Sequence, residues 1–313
     1  MTLQFPLSAG FLVLFLASGQ ALADDAVSGY PAGGVVFKSD KDVSIAREDI
    51  DLSAARVHVR YVFVSNAAAP VVKTMRFAMP KMPQDDTPDS LIELAPGRAR
   101  DNLKNYVDFQ VLVDGKPVAP KHHEFAWSGT RNLTAGFLKM GVPIFAATRD
   151  AREKLGQLPD KIKHQLAMQK LISGHGAGIM PGWDYQSVYE WQQSFAPGET
   201  GIDITYKPIL GYPNDMGPHG LTDDFKTAYC IPPDFLGDRA QRAGMLGEVA
   251  VLGYLARDMD RPIGEFHLKV DEGADTLASL CVPAGLTATN KPMEWAAKNF
   301  TLKNDVKVLF LVP

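Results

Sequence analysis

The sequence predicts a mainly β protein in which two antiparallel, β-sandwich-like regions are separated by a helical insertion. Three observations carry that prediction. Val57 to Val64 opens by alternating apolar with polar residues, the period of a half-buried strand, and Val71 to Met79 does so less cleanly before Pro80 stops it. Val107 to Val113 runs into Asp114-Gly115, the strongest short hairpin signal in the chain. After Pro143 the period lengthens: Leu158, Ile162 and Leu166 recur at helical spacing with Met168 and Ile172 alongside, and Gly174 follows as a C-terminal cap.

Taken in order, the chain begins with a leader. Leu7 to Ala17 is apolar or small except at Ser8, too short to cross a bilayer, and Ala21-Leu22-Ala23 supplies the small-x-small pattern that a signal peptidase reads. Residues 1–23 are therefore expected to be removed, leaving an exported protein that starts at Asp24 and has no membrane span of its own. Residues 24–142 read as the first β region and 143–182 as the helical insertion. Residues 183–313 read as a second β region, with strands over Ser187 to Phe195, Gly201 to Tyr206, Glu248 to Leu255, Gly264 to Val270, Thr276 to Val282 and Val306 to Val312. One large β domain is the rival to this two-domain division. No repeat of 20 to 50 residues is present.

Composition narrows the function classes. A formal net charge of −4 provides no basic field for nucleic acid or anionic lipid. With 46% hydrophobic and 22% charged residues, the chain has the make-up of a globular protein. Cys230 and Cys281 are expected to meet an oxidising compartment together and form one disulfide, the alternatives being two reduced thiols or a metal pair.

The stretch Tyr189-Glu190-Trp191-Gln192-Gln193-Ser194-Phe195-Ala196-Pro197-Gly198, followed by Ile204-Thr205-Tyr206-Lys207-Pro208 and Gly211, resembles the central signature of an uncharacterised family of exported bacterial proteins, a domain of unknown function. Gly33-Gly34-Val35-Val36-Phe37 resembles its mature N-terminal motif. Tyr229-Cys230 with Leu280-Cys281 is similar to its paired cysteines, and Asn299-Phe300 with Val308 to Leu311 is similar to its C-terminal strand. The resemblance implies a bacterial, periplasmic or secreted β-rich protein with a helical insertion, and no activity. Physically, Tyr189, Trp191, Gln193 and Phe195 share one strand face, so the aromatic members read as core, with a stacking platform for sugar or peptide as the alternative.

Candidate chemistry is sparse. His122-His123-Glu124 is the densest group of metal-capable side chains, but neighbours on an extended chain point to opposite faces, so a solvated loop is preferred to a metal site. The glycine-rich run around His175 leaves a helix instead of entering one, which suits a cap and connection better than a phosphate cradle or catalytic loop. Asn214-Asp215 and Asp223-Asp224 could supply oxygens to Ca²⁺, yet their spacing is not that of an EF-hand. No metal or cofactor is assigned. The reading is a non-catalytic protein of the bacterial envelope that binds a small ligand or an envelope partner. Trp127, Trp183, Tyr185 and Trp191 are the candidate contact residues, and three of them, Trp127, Trp183 and Tyr185, are placed in a groove between the two regions. The alternative is a periplasmic hydrolase or metal-assisted enzyme using His175, or His122 and His123.

Overall fold

The computed structural model describes residues 31–32, 34–36, 42–79, 81–82, 84, 105, 107–146, 149–174, 178–208, 210–211, 222–233, 235, 248–254, 262–273 and 276–312. The expected leader, Gly33, Phe37, most of the connection between Met82 and Arg100, His175 and the segment holding Asn214, Asp215 and His219 lie outside the described residues.

Two short strands, β1 (Pro31–Ala32) and β2 (Gly34–Val36), precede three long ones, β3 (Val43–Leu52), β4 (Val57–Ser65) and β5 (Val71–Ala78). The predicted hairpin follows as β6 (Gln110–Val113) and β7 (Lys116–Val118). Both of its turn residues are left-handed, Asp114 at φ 48° and Gly115 at φ 74°, which is what a two-residue hairpin of this hand requires. Next come β8 (Lys121–Ser128), β9 (Arg131–Asn132), the helices α1 (Thr134–Met140), α2 (Arg149–Gly156) and α3 (Asp160–Met168), and the short pair β10 (Ile172–Ser173) and β11 (Met180–Pro181). The second half holds β12 (Asp184–Phe195), β13 (Gly198–Tyr206), α4 (Asp223–Ala228), β14 (Glu248–Tyr254), β15 (Ile263–Val270), β16 (Leu277–Leu280), β17 (Thr287–Ala288), β18 (Glu294–Phe300) and β19 (Val306–Val312).

The protein is mainly β, as predicted, with sheets that among the described residues are antiparallel apart from two parallel pairs. An eight-stranded sheet runs β17-β18-β15-β3-β4-β13-β6-β7, a five-stranded sheet β2-β5-β12-β8-β9, and a four-stranded sheet β1-β14-β19-β16. Strands from either side of the insertion pair with one another: β12 lies between β5 and β8, and β13 between β4 and β6. The divisions at residues 142 and 182 are therefore divisions of the sequence that the sheets cross. A strand's alternation specifies its faces but not its partner.

The eight-stranded sheet buries one face. On β4 that face is Val57, Val59, Tyr61, Phe63 and Ser65, and on β13 it is Thr200, Ile202, Ile204 and Tyr206. On β3 a bulge between Ile45 and Arg47 resets the phase, so Val43 and Ile45 point inward with Glu48, Ile50 and Leu52 while Arg47 faces solvent. The five-stranded sheet packs on this face through rings: Phe63 to Phe195 at 5.2 Å, Phe77 to Tyr206 at 5.5 Å, and Phe109 stacked on Tyr189 at 3.9 Å. The four-stranded sheet adds Ala250, Leu252, Tyr254, Val308 and Phe310 to the same core.

The other face of the four-stranded sheet carries a satellite core in which Val249, Val251, Leu277, Leu309 and Leu311 meet Phe225, Tyr229 and Phe235. Cys230 and Cys281 are bonded, which staples the turn after α4 to the end of β16. Ser279 Oγ reinforces the staple by donating to the Tyr229 and Cys230 carbonyls at 3.0 and 3.2 Å.

The insertion differs from the single helix predicted. It holds α2 and α3, with α1 just ahead of it, and α3 stops at Met168 because Lys170 turns left-handed at φ 56°; Ile172 then enters β10. Gly182 permits the return, since a Cβ there would lie 2.7 Å from the Lys170 carbonyl oxygen. Replacing both cysteines by serine is expected to lower the unfolding free energy by about 4 kcal/mol, the loop-entropy value for a bridge of this span. Urea titration followed by tryptophan fluorescence checks it, and an unchanged midpoint would mean that the satellite core holds without its staple.

Candidate functional site

The alternation of β12 decides the fate of the aromatic candidates. Tyr185, Ser187, Tyr189, Trp191, Gln193 and Phe195 all face the core and are buried, in agreement with the core reading of the signature. Tyr185 reaches Glu124 with its hydroxyl at 3.1 Å, and Trp191 Nε1 has no hydrogen-bond partner. Trp183 is buried as well: Phe137 of α1 meets it edge-on at 4.7 Å and its Nε1 donates to the Ile144 carbonyl at 2.8 Å. Gln84 completes this joint by donating to the Trp183 carbonyl and accepting from Ala146 N–H. Three of the four candidate contact residues are thus interior, and Trp127 is the one half-buried at the surface.

Two open sheet faces are left to compare. On the eight-stranded sheet the outward residues are mostly charged, polar or β-branched, with Leu112 of β6 exposed among them, and several of the charges pair with one another. His58 meets Asp203 at 3.1 Å, Arg47 meets Asp49 at 2.8 Å, and Lys269 lies 3.7 Å from Asp51. A face of mutually paired charges is a solvated surface, in which each pair contributes little. The outward residues of β3, β4, β13 and β15 include the imidazoles of His58 and His267 but no Phe, Tyr or Trp.

The open face of the five-stranded sheet has a different chemistry. On β8 the alternation that turns His122, Glu124 and Ala126 toward the core side turns His123, Phe125 and Trp127 outward. The three rings form a row with centroids 6.5 and 6.3 Å apart. Lys81 Nζ sits 4.2 Å above the Trp127 ring and donates to the Gly129 carbonyl, which pins the indole from one side. Hydrogen-bonding side chains bracket the row. Asp184 and Asn132 pair across from Trp127, Gln186, which donates to the Met79 carbonyl, across from Phe125, and the apolar Val188 across from His123, while Arg76 and Lys121 flank Glu190 one step along. Arg76 Nε donates to Glu190 Oε2 at 2.6 Å, and that bond holds the Glu190 carboxyl below the usual carboxylate range. Trp127 Nε1 and His123 Nε2 are shielded from solvent and have no hydrogen-bond partner, a state that costs about 1–3 kcal/mol per group.

His122 stacks on Tyr189 at 5.1 Å while His123 points toward Glu190, 3.9 Å away, so the adjacent histidines separate to opposite faces. Among the described residues no three metal-capable side chains gather. Asp223 and Asp224 open α4, where Lys226 pairs with Asp223 and Thr222 caps Phe225 N–H. Phe125 is the site residue that sequence reasoning missed. Its signal was the i, i+2 repeat of flat side chains in His123-Glu124-Phe125-Ala126-Trp127.

Among the described residues, these observations define a disulfide-stapled β protein with an aromatic row on the outward face of its five-stranded sheet. The chain belongs to the family Domain of unknown function (DUF4424), whose model matches residues 23–309. A search of the curated proteins found no match. Among solved structures, the chain is similar to a candidate nutrient-binding protein of Legionella pneumophila subsp. pneumophila, with 14% identity and a TM-score of 0.49 over 91% of this chain and 71% of that one.

Trp183→Ala is expected to cost about 3–5 kcal/mol because it empties an interior joint, whereas Trp127→Ala should cost about 1 kcal/mol. Chemical unfolding of the two variants measures the difference, and equal losses would place Trp127 in the core. Arg76→Ala should move the Glu190 titration back up toward the ordinary value. A depressed folded value contributes stability at neutral pH that is lost as pH falls through it. Carboxyl NMR of Glu190 in both proteins tests this, and an unmoved titration would remove Arg76 as the cause.

Proposed function

We propose that this is an exported protein of the bacterial envelope that binds a ligand or partner, without transforming it, on the open face of the five-stranded sheet. The row His123, Phe125 and Trp127, with Lys81 over its end, is the observation that carries the reading. Half-buried rings on a sheet face offer contact area at little conformational cost, and rings of this kind anchor binding surfaces. Export is supported by the apolar leader of residues 1–23, by the start of the family match at residue 23, and by a disulfide that suits an oxidising compartment. No described helix is long and apolar enough to cross a membrane.

Two measurements test the proposal. The full chain produced with its own leader should yield a protein beginning at Asp24 and two hydrogens lighter than its reduced mass; a retained leader would overturn export. A photo-crosslinking residue in place of Phe125 should capture an adduct in the envelope that the same residue in place of Val62, on the charged sheet face, does not. Adducts at both positions, or at neither, would remove this face as the binding surface.

A further inference from the structure

We infer that the segment β1–β2 is a strap that latches the two covering sheets to each other, so that the seam between them opens when the strap leaves its edges and closes when it pairs again.

The order of the strands singles this segment out. The five-stranded and four-stranded sheets both cover the eight-stranded one, and among the described residues each later entry of the chain into the four-stranded sheet comes from the eight-stranded sheet: β13 to β14, β15 to β16 and β18 to β19. Only the step from β1 to β2 passes directly from one cover to the other. β1 runs parallel to the edge of β14, with Pro31 opposite Gly253 and Ala32 opposite Tyr254. β2 runs antiparallel to the edge of β5, with Gly34 opposite Ala78 and Val36 opposite Arg76. Ala32 and Gly34 are two Cα steps apart, a span of at most about 7 Å, so pairing at both ends leaves no slack between the two edges.

The strap can detach without undoing what it holds. It pairs through two residues on one sheet and three on the other, whereas β14 is paired with β19 along its whole length and β5 with β12 along its own. Its departure is therefore a local opening that leaves both covers intact. Gly211 exchanges backbone hydrogen bonds with Val251 at 2.9 and 2.8 Å, which anchors the middle of β14 and leaves its Tyr254 end to the strap.

That end carries the polar contact beneath the seam. Tyr254 donates to the buried Glu48 carboxylate of β3 at 3.2 Å and lies 3.4 Å from the hydroxyl of Tyr61 on β4. While Ala32 holds Tyr254 in place, the carboxylate keeps this donor. When the strap leaves, water can take the same position at a carboxylate and two phenols, whereas an all-apolar seam would resist wetting.

Hydrogen exchange of the full-length exported protein, followed by mass spectrometry, tests the strap. Gly34→Pro breaks the short ladder on β5 and is expected to speed amide exchange about tenfold or more in both Val71–Ala78 and Glu248–Tyr254, with β4 and β13 unchanged. Thr287→Pro, in the short edge strand β17, should alter neither segment. Faster exchange in β5 with β14 unmoved would overturn the latch, and so would a uniform rise that includes β4 and β13. Should Gly34→Pro fail to fold, Gly34→Cys with Ala78→Cys crosslinks the strap to β5 at two directly opposed residues. Exchange in Glu248–Tyr254 should then fall several-fold below that of Gly34→Ser with Ala78→Ser, and equal rates would overturn the inference.

Discussion

Everything else in this fold follows from one constraint: the eight-stranded sheet has a single apolar face, and it is wider than either sheet available to cover it. Five strands on one side and four on the other share the task, so the core continues beneath a seam between two covers. At that seam Tyr254 of β14 donates to the buried Glu48 carboxylate of β3 at 3.2 Å and lies 3.4 Å from the Tyr61 hydroxyl. Burial, with Tyr61 and Glu48 adjoining, pushes the Tyr254 phenol well above its ordinary titration range, so it stays neutral and remains a donor. A carboxylate taken from water without partners is costly, and sliding β14 by one residue would strip Glu48 of this one. The polar node therefore fixes how the smaller sheet sits against the larger one, while the apolar residues around it supply the driving force.

That constraint explains which parts of the fold were legible. Strands with clean alternation, such as β4, β12 and β13, and the Asp114-Gly115 hairpin are local statements, written in neighbouring residues. β3 was not separately recognised because its bulge breaks the alternation and because Arg47, Glu48, Asp49 and Asp51 make it look solvent-bound. The interleaving of β12 and β13 between earlier strands is a long-range choice that no local pattern encodes. The end of α3 was misplaced for a related reason: Ile172 keeps helical spacing, but the chain uses it in a strand opposite Pro181.

The site was legible only in part. Trp127, His122 and His123 stood out in the sequence as residue types, but which of them share a surface depends on the face β8 presents to β12. Pairing of Tyr189 with His122 and of Val188 with His123 settles it, sending one imidazole inward and the other outward beside Phe125. Trp183, Tyr185 and Trp191 were singled out on the same grounds and belong to the interior, because β12 turns Tyr185 and Trp191 to its core face and Trp183, just ahead of that strand, packs against Phe137 of α1. An aromatic residue type signals a large contact area; its partner is decided by register.

The insertion connects these two levels. Trp183 is locked between Phe137 and the Ile144 carbonyl, and the next residue, Asp184, pairs with Trp127 at the end of the exposed row. The strand that sets the position of Trp127 is therefore held at its first residue by a packed interior joint, with Gln84 bonded to both of the segments that meet there. A surface ring supported in this way loses little freedom when a ligand covers it, and in such preorganised sites more of the contact energy is retained as affinity. Disturbing the joint at Trp183 would consequently loosen the row without touching any residue of the open face. The helical insertion thus acts on the site as the support of one end of its central strand, while the disulfide at the far sheet secures a separate cap.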